Sequence, residues 1–314
     1  MDKDTCVLNR TFDREMKCIK TNQCDCFILD LPSNVVQDVM MPTIGYYATC
    51  KVTWDLVPET VRAWGRYHGK YDEHVCQVAA LTGQFEVLKW ARVNGFLWDE
   101  CTCANAALNG DLEMLKWAYE NGCPLDETAC SNAAARGSLS ILKWLRQHEF
   151  PWNHHTCSRA ALTGHMNVLV WAHANGCPWD ENTCINAAHG GHLKVLQWAR
   201  ENGCPWNEDT CSMAAFAGNL EVLQWALRNG CSYDVFACAY AAKNGHLEML
   251  EWAYTFGCPI SEMTCSMAAL GGKLEALEWL RAHECPWDKM TILYAKENGH
   301  THIEEWALKN GCPS

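Results

Sequence analysis

Tryptophan recurs at an unbroken step of 27 residues: Trp90, Trp117, Trp144, Trp171, Trp198, Trp225, Trp252, Trp279 and Trp306. A glycine keeps step with it, from Gly83 and Gly110 through Gly272 and Gly299. A fixed period of about 20–50 residues marks a stack of identical supersecondary units. Each unit is too small to bury its own apolar face, so the chain must fold as a solenoid held together between neighbours. Such an object presents a long surface and rarely does chemistry. The repeats occupy residues 71–314, which leaves residues 1–70 as an N-terminal segment expected to be helical.

The unit that opens at Trp179 reads WDENTCINAAHGGHLKVLQWARENGCP. Asp180 stands where a helix N-cap belongs. Its column holds Asp72, Asp99, Asp126, Asn153, Asn207, Asp234, Ser261 and Asp288, all able to accept a hydrogen bond from a free first-turn amide. Glutamate follows in six of the nine units (Glu73, Glu100, Glu127, Glu181, Glu208, Glu262), where its charge meets the positive helix end. A first helix is expected to run through Cys184 and Ala187–Ala188 and to stop at Gly190–Gly191. The second starts near His192. Its apolar Leu193, Val195, Leu196 and Ala199 alternate with Lys194, Gln197 and Glu201 at a helical period, and it closes on Asn202–Gly203. Glu149 and Glu284 replace the closing glycine, so those two junctions are expected to bend differently. Helices of about nine residues cannot hold alone in water. The sequence therefore predicts an all-α solenoid of nine helix–turn–helix repeats. In the ninth, Glu304 takes the column of Leu196, and Thr301 and Lys296 also replace apolar or small residues. This is the polar face expected of a terminal capping repeat.

Composition narrows the function. A formal charge of −12 without any basic run argues against a nucleic-acid partner. No apolar stretch is long enough to cross a membrane, and the charged start MDKDTCVLNRTFDREMK lacks the apolar core of a signal peptide. A monomer resident in the cytosol, or the nucleus, is expected. Of 21 cysteines, fifteen fall on two columns, Cys76 to Cys265 and Cys123 to Cys312. The columns also admit Phe96, Phe150 and Ile292, as small buried apolar positions do; both are expected to be packing. Cys24-Asp-Cys26, Cys101-Thr-Cys103 and the C-x6-C spacing of Cys177 and Cys184 keep a zinc or thiol-redox protein as an outside alternative. No nucleophile–base constellation, phosphate loop or cofactor motif stands out, so neither an enzyme nor a cofactor is expected. The tryptophan column is expected to pack between repeats with each N–H on a backbone carbonyl. The turn aromatics (Tyr71, Trp98, Trp152, Trp179, Trp206, Tyr233, Trp287) are expected to be the more exposed set.

The stretch Ala187-Ala188-x-x-Gly191-His192-Leu193-x-Val195-Leu196, with twelve residues from Gly191 to Gly203, resembles the ankyrin repeat. The ankyrin unit has about 33 residues; the shortfall lies where ankyrins carry a β-hairpin finger, here reduced to a turn such as Cys204-Pro-Trp-Asn207. Short, Trp-rich units of this kind are similar to those of large DNA viruses, protists and algae. The resemblance implies a protein-binding scaffold. It also implies a structural hydrogen bond for His165, His192, His246 and His300, which sit just after the turn glycine.

Nine copies allow an internal comparison, because positions that vary freely between repeats are not required for stacking. Two columns of the first helix vary in this way. Their central members Arg159, His189, Met213, Phe216, Tyr240, Lys243 and Met267 form a mixed apolar and basic set. The resemblance places this helix on the concave side, so these residues are the candidate protein-binding site.

The N-terminal segment admits two readings. Leu31-Pro32-Ser33-Asn34-Val35-Val36-Gln37-Asp38-Val39-Met40 followed by Ala48-Thr49-Cys50-Lys51-Val52-Thr53-Trp54 resembles an F-box. That would imply binding of Skp1 in a cullin ubiquitin ligase through Leu31, Pro32, Val35, Val36 and Val39. The alternative is a helical cap on the first repeat, the array then serving as a stand-alone scaffold or decoy.

Overall fold

Capped short helices with one apolar stripe each are what this sequence can form, and they recur as pairs. The structure, a computed structural model, describes residues 74–313. The first helices of successive repeats are α1 (His74–Leu81), α3 (Glu100–Asn109), α5 (Glu127–Arg136), α7 (His154–Leu162), α9 (Glu181–His189), α11 (Glu208–Ala217), α13 (Val235–Asn244), α15 (Glu262–Leu270) and α17 (Lys289–Glu297). The second helices are α2 (Phe85–Val93), α4 (Leu112–Glu120), α6 (Leu139–Gln147), α8 (Met166–Ala174), α10 (Leu193–Glu201), α12 (Leu220–Arg228), α14 (Leu247–Phe256), α16 (Leu274–Ala282) and α18 (Thr301–Lys309). No strand occurs among the described residues, so the hairpin finger is indeed absent. Nor is any described helix long and apolar enough to cross a membrane. The F-box-like residues Leu31, Pro32, Val35, Val36 and Val39 lie outside the described residues.

Most of the predicted caps form, although the Asn207 side chain makes no cap hydrogen bond. Asp126, Asn153, Asp180, Asp234 and Asp288 each accept a first-turn backbone N–H at 2.9–3.1 Å, and Asp99 does so from Thr102 at 3.3 Å. At Ser261 the hydrogen bond runs the other way, its backbone N–H donating to Thr264 Oγ1 at 3.1 Å. Second helices end with an asparagine folded back on the tryptophan carbonyl, as in Asn202 Nδ2 to Trp198 O at 2.8 Å. Asn121, Asn175 and Asn229 repeat this bond. In the two exceptional repeats His148 and His283 take the place of asparagine, with Nδ1 2.9 and 2.8 Å from the Trp144 and Trp279 carbonyls.

Consecutive first helices lie against each other along their length, while second helices meet only sparsely. The cause is side-chain size. Ala79–Ala80, Ala106–Ala107, Ala133–Ala134, Ala160–Ala161, Ala187–Ala188, Ala214–Ala215, Ala241–Ala242 and Ala268–Ala269 are fully buried and let the backbones approach. Leucines from Leu88 to Leu277 fill the space beneath the second helices, also with no exposure, each contributing about 2 kcal/mol by burial. Glu304, in the leucine column, is only half-buried.

A second contact fixes the register. From Gly110 to Gly272 the turn glycine lies under the side chain that follows the turn glycine of the next repeat: a Cβ on Gly164 would stand 2.6 Å from the His192 ring, and one on Gly137 2.6 Å from that of His165. Side chains in this region also bind the last carbonyls of the preceding first helix. Asn219 Nδ2 donates to the Ala188 and His189 carbonyls at 2.9 and 2.8 Å, and His300 Nε2 lies 3.2 Å from Leu270 O. The structural role implied for the histidines is thus seen as a hydrogen bond at His300 and as ring packing at His165 and His192.

Three expectations are corrected. The Glu149 and Glu284 junctions do not bend differently: their φ values of 62° and 58° are the left-handed geometry that glycine holds elsewhere, such as Gly203 at 84°. Trp198 and its counterparts give their backbone carbonyls, not their indole N–H groups, to the hydrogen-bond network of the described residues. The turn tryptophans are no more exposed than the ladder, because each packs edge-on against the ladder tryptophan nineteen positions later. Trp98–Trp117, Trp152–Trp171, Trp179–Trp198, Trp206–Trp225 and Trp287–Trp306 all have centroids 5.8–6.0 Å apart; Tyr233 is the exposed member of the set.

The other face of each turn indole carries an arginine, or in one repeat a histidine, from the preceding helix end. Arg92, Arg146, Arg200 and Arg281 lie 3.8–4.4 Å from the rings of Trp98, Trp152, Trp206 and Trp287, and His173 stacks on Trp179 at 3.7 Å. The same arginines donate to the turn carbonyls of Phe96, Phe150, Cys204 and Cys285. Where this arginine or histidine is replaced by Tyr119, Leu227 or Tyr254, the turn residue is Leu125, Tyr233 or Ile260 and not tryptophan. The two are thus exchanged together.

Two outcomes follow for stability. Gly164→Ala should destabilise by at least about 1 kcal/mol more than Gly176→Ala in urea unfolding: both residues have positive φ, but a Cβ at Gly176 meets nothing within 4 Å. Glu149→Gly should raise the urea midpoint, relieving about 1 kcal/mol of left-handed strain.

Candidate protein-binding face

The first helices give one face to their neighbours and the second helices and leave three columns outward. Of the seven candidate residues, four are brought into one run. The His189 and Phe216 rings meet at 5.9 Å, Phe216 and Tyr240 at 5.6 Å, both edge-on. Lys243 Nζ stands 6.0 Å from the centre of the Phe216 ring. Arg159, Met213 and Met267 share the column of Tyr240, on α7, α11 and α15, and are half-buried. They lie on the same face but outside the ring contacts.

Sequence reasoning missed Phe236, which stacks on Tyr240 at 5.7 Å and extends the run across α9, α11 and α13. It is 38% exposed, and Met263, its counterpart on α15, is 39% exposed. Their column reads Cys101, Thr128, His155, Asn182, Asp209, Phe236, Met263 and Met290; its variability was the available signal. The premise that variable columns play no part in stacking fails at two positions. Asn105 and Asn132 are buried, and their Nδ2 atoms donate to the Gln77 and Ala104 carbonyls of the preceding repeat at 3.1 and 3.0 Å. The face thus differs along its length: tied asparagines in the second and third repeats, methionine and aromatic side chains from the sixth onward.

The cysteine columns are not only packing. All fifteen are buried and free. At six junctions the second-column thiol donates to the carbonyl of the N-cap residue 24 positions earlier: Cys123, Cys177, Cys204, Cys231, Cys285 and Cys312, at 3.2–3.4 Å. Each bond closes a repeat by joining its two ends. Those six cysteines are the ones with a threonine 21 residues before them; Val75, Ala129 and Ala237 stand there for Phe96, Phe150 and Cys258. The Thr156 hydroxyl lies beside the Cys177 sulfur and the Thr291 hydroxyl beside Cys312.

Cys157, Cys184, Cys211, Cys238 and Cys265 pair with the thiol twenty positions later. That hydrogen bond, together with burial, pushes them far up from the ordinary thiol range. Burial pushes Cys76 and Cys130 up to about 12. The raised thiols stay protonated at neutral pH, whereas a ligand or nucleophile must be thiolate; the same hydrogen bonds shift their partners Cys177, Cys231 and Cys258 the other way. Among the described residues no group of three or more His, Cys, Asp and Glu is arranged to hold a metal ion. At pH 8 iodoacetamide should therefore modify Cys76 and Cys130 at least about a hundredfold more slowly in the folded protein than in urea, read by peptide mass mapping.

No curated protein gives a significant match to this chain. Residues 103–146 match the family model described as ankyrin repeats (many copies), a stretch that runs from α3 into α6. The units on either side of that stretch carry the same helix pair, the same turn glycine and the same stacking contacts. The chain is thus similar to ankyrin repeats over residues 103–146, and the described array repeats that same element on both sides.

Proposed function

We propose that the array is a protein-binding scaffold that acts by docking and not by catalysis. Its docking surface is the first-helix face centred on His189, Phe216, Tyr240 and Lys243, flanked by Arg159, Met213 and Met267. The supporting observation is the unbroken, partly exposed ring run from His189 to Phe236. Aromatic side chains in adjacent rows, beside a cation, are the kind of group that dominates protein interfaces, and nothing in the stacking of repeats requires them. Full-length protein should capture a partner from extract that is lost at least about tenfold when Phe216 and Tyr240 are both changed to serine. A Glu278→Ala variant on the second-helix side should retain it, and all three proteins should show the same helical circular dichroism. Equal capture by the serine variant removes this face as the docking surface.

A finer role rests on the N-terminal motif. Leu31-Pro32 with Val35, Val36 and Val39, followed by Ala48–Trp54, supports a substrate-recruiting adaptor that engages Skp1 and a cullin. Full-length protein would then capture both, whereas a chain beginning at Tyr71 would capture neither. If both forms fail, the array is a scaffold without a ligase link.

A further inference from the structure

We propose that the partner segment seated on this face is an amphipathic helix with cationic side chains along one flank, lying along the stack over α11, α13 and α15. The proposal rests on the docking reading above and adds the partner's chemistry. Three features carry it.

The first is spacing. Stacked helices lie about 8–10 Å apart, so each column offers one side chain per 8–10 Å. A partner α-helix returns to the same face after seven residues, about 10 Å. An extended strand returns every second residue, about 6.8 Å, and falls out of step within two repeats.

The second is width. The apolar strip is built of Met213, Phe216, Phe236, Tyr240, Met263 and Met267, and Phe236 to Lys243 covers two helical turns, about 10 Å. This accommodates a helix, while a single extended or polyproline chain would leave a row uncovered. Methionine beside aromatic rings suits a helical ligand, since its unbranched thioether adapts to the knobs of an incoming stripe.

The third is charge. Along the edge where the first helices begin, Glu208, Asp209 and Glu262 are exposed, while Lys243 and Lys273 line the edge where they end. The strip between them is apolar. A helix whose flank carries lysine or arginine would place those charges against the acidic edge. A helix acidic on both flanks would set like charges there, which costs affinity.

The test uses full-length protein and three fluorophore-labelled peptides of 21 residues read by anisotropy. One has a leucine stripe at helical period with lysine on one flank and glutamate on the other. The second has the same composition with leucine alternating at strand period. The third has the leucine stripe with glutamate on both flanks. The first should bind at least about tenfold tighter than either control, and Phe236→Ser and Met263→Ser should each weaken it several-fold. Glu208→Lys together with Asp209→Lys should narrow the gap between the first and third peptides. Equal binding of all three peptides, no binding of the first, or indifference to Phe236→Ser and Met263→Ser overturns the proposal. If the captured partner is lost in the Phe216 and Tyr240 variant while the helical peptide fails, the face still docks protein and only the helix assignment falls. If the variant keeps the partner, the docking reading falls too.

Discussion

Helices of eight to ten residues hold no shape of their own in water, because the cost of ordering the first turn is not recovered over so short a length. Everything in this array therefore depends on the contact between one repeat and the next. The alanine pairs set how near the first helices come, and the leucine column fills the wider gap beneath the second helices. The turn glycine receives the side chain of the following repeat. A larger residue at any of these three points would separate two repeats and weaken both, since each is stable only through its neighbours. This is why the columns repeat so strictly while the residues between them drift.

Closing each repeat is a separate task, done by polar side chains. The cysteine S–H on the N-cap carbonyl joins the start of a repeat to its end. The arginine at the end of the second helix holds the turn from both sides, through the carbonyl and the indole face. These groups behave as sets. Threonine accompanies the bonding cysteine, and arginine or histidine accompanies the turn tryptophan; where the threonine is missing so is the thiol–carbonyl bond, and where the arginine or histidine is missing so is the tryptophan. A lone arginine in that position would keep its charge but lose the ring, and a lone indole would expose a face. Each set is worth conserving only whole, in the sense that its members satisfy one another.

Such division of labour leaves the outward columns of the first helix free of structural duty over the later repeats. There the chain places methionine and aromatic residues that stand outside the repeated stacking columns. They remain partly exposed, although burial would favour them. An acidic edge lies on one side and lysines on the other. A surface of this kind is costly to leave in water, and it is the feature of the array that asks for a partner.

The period of 27, the caps, the two helices and the ankyrin resemblance were all legible in the sequence, because each arises from residues within one unit and repetition multiplies the signal. The candidate face was legible in outline, since Phe216 and Tyr240 stand out against fixed columns, but Phe236 was overlooked and Asn105 and Asn132 were misjudged as free. Partners 24 to 28 residues apart cannot be inferred from local spacing. The asparagine bonds, the thiol–carbonyl closures and the seat of His192 on Gly164 belong to that class. Sequence alone thus determined the repeating unit and where its ends are capped. Only the tertiary structure decided which side chains meet across repeats, and hence which variable positions are ties and which are surface, because those contacts depend on how closely two short helices come to lie.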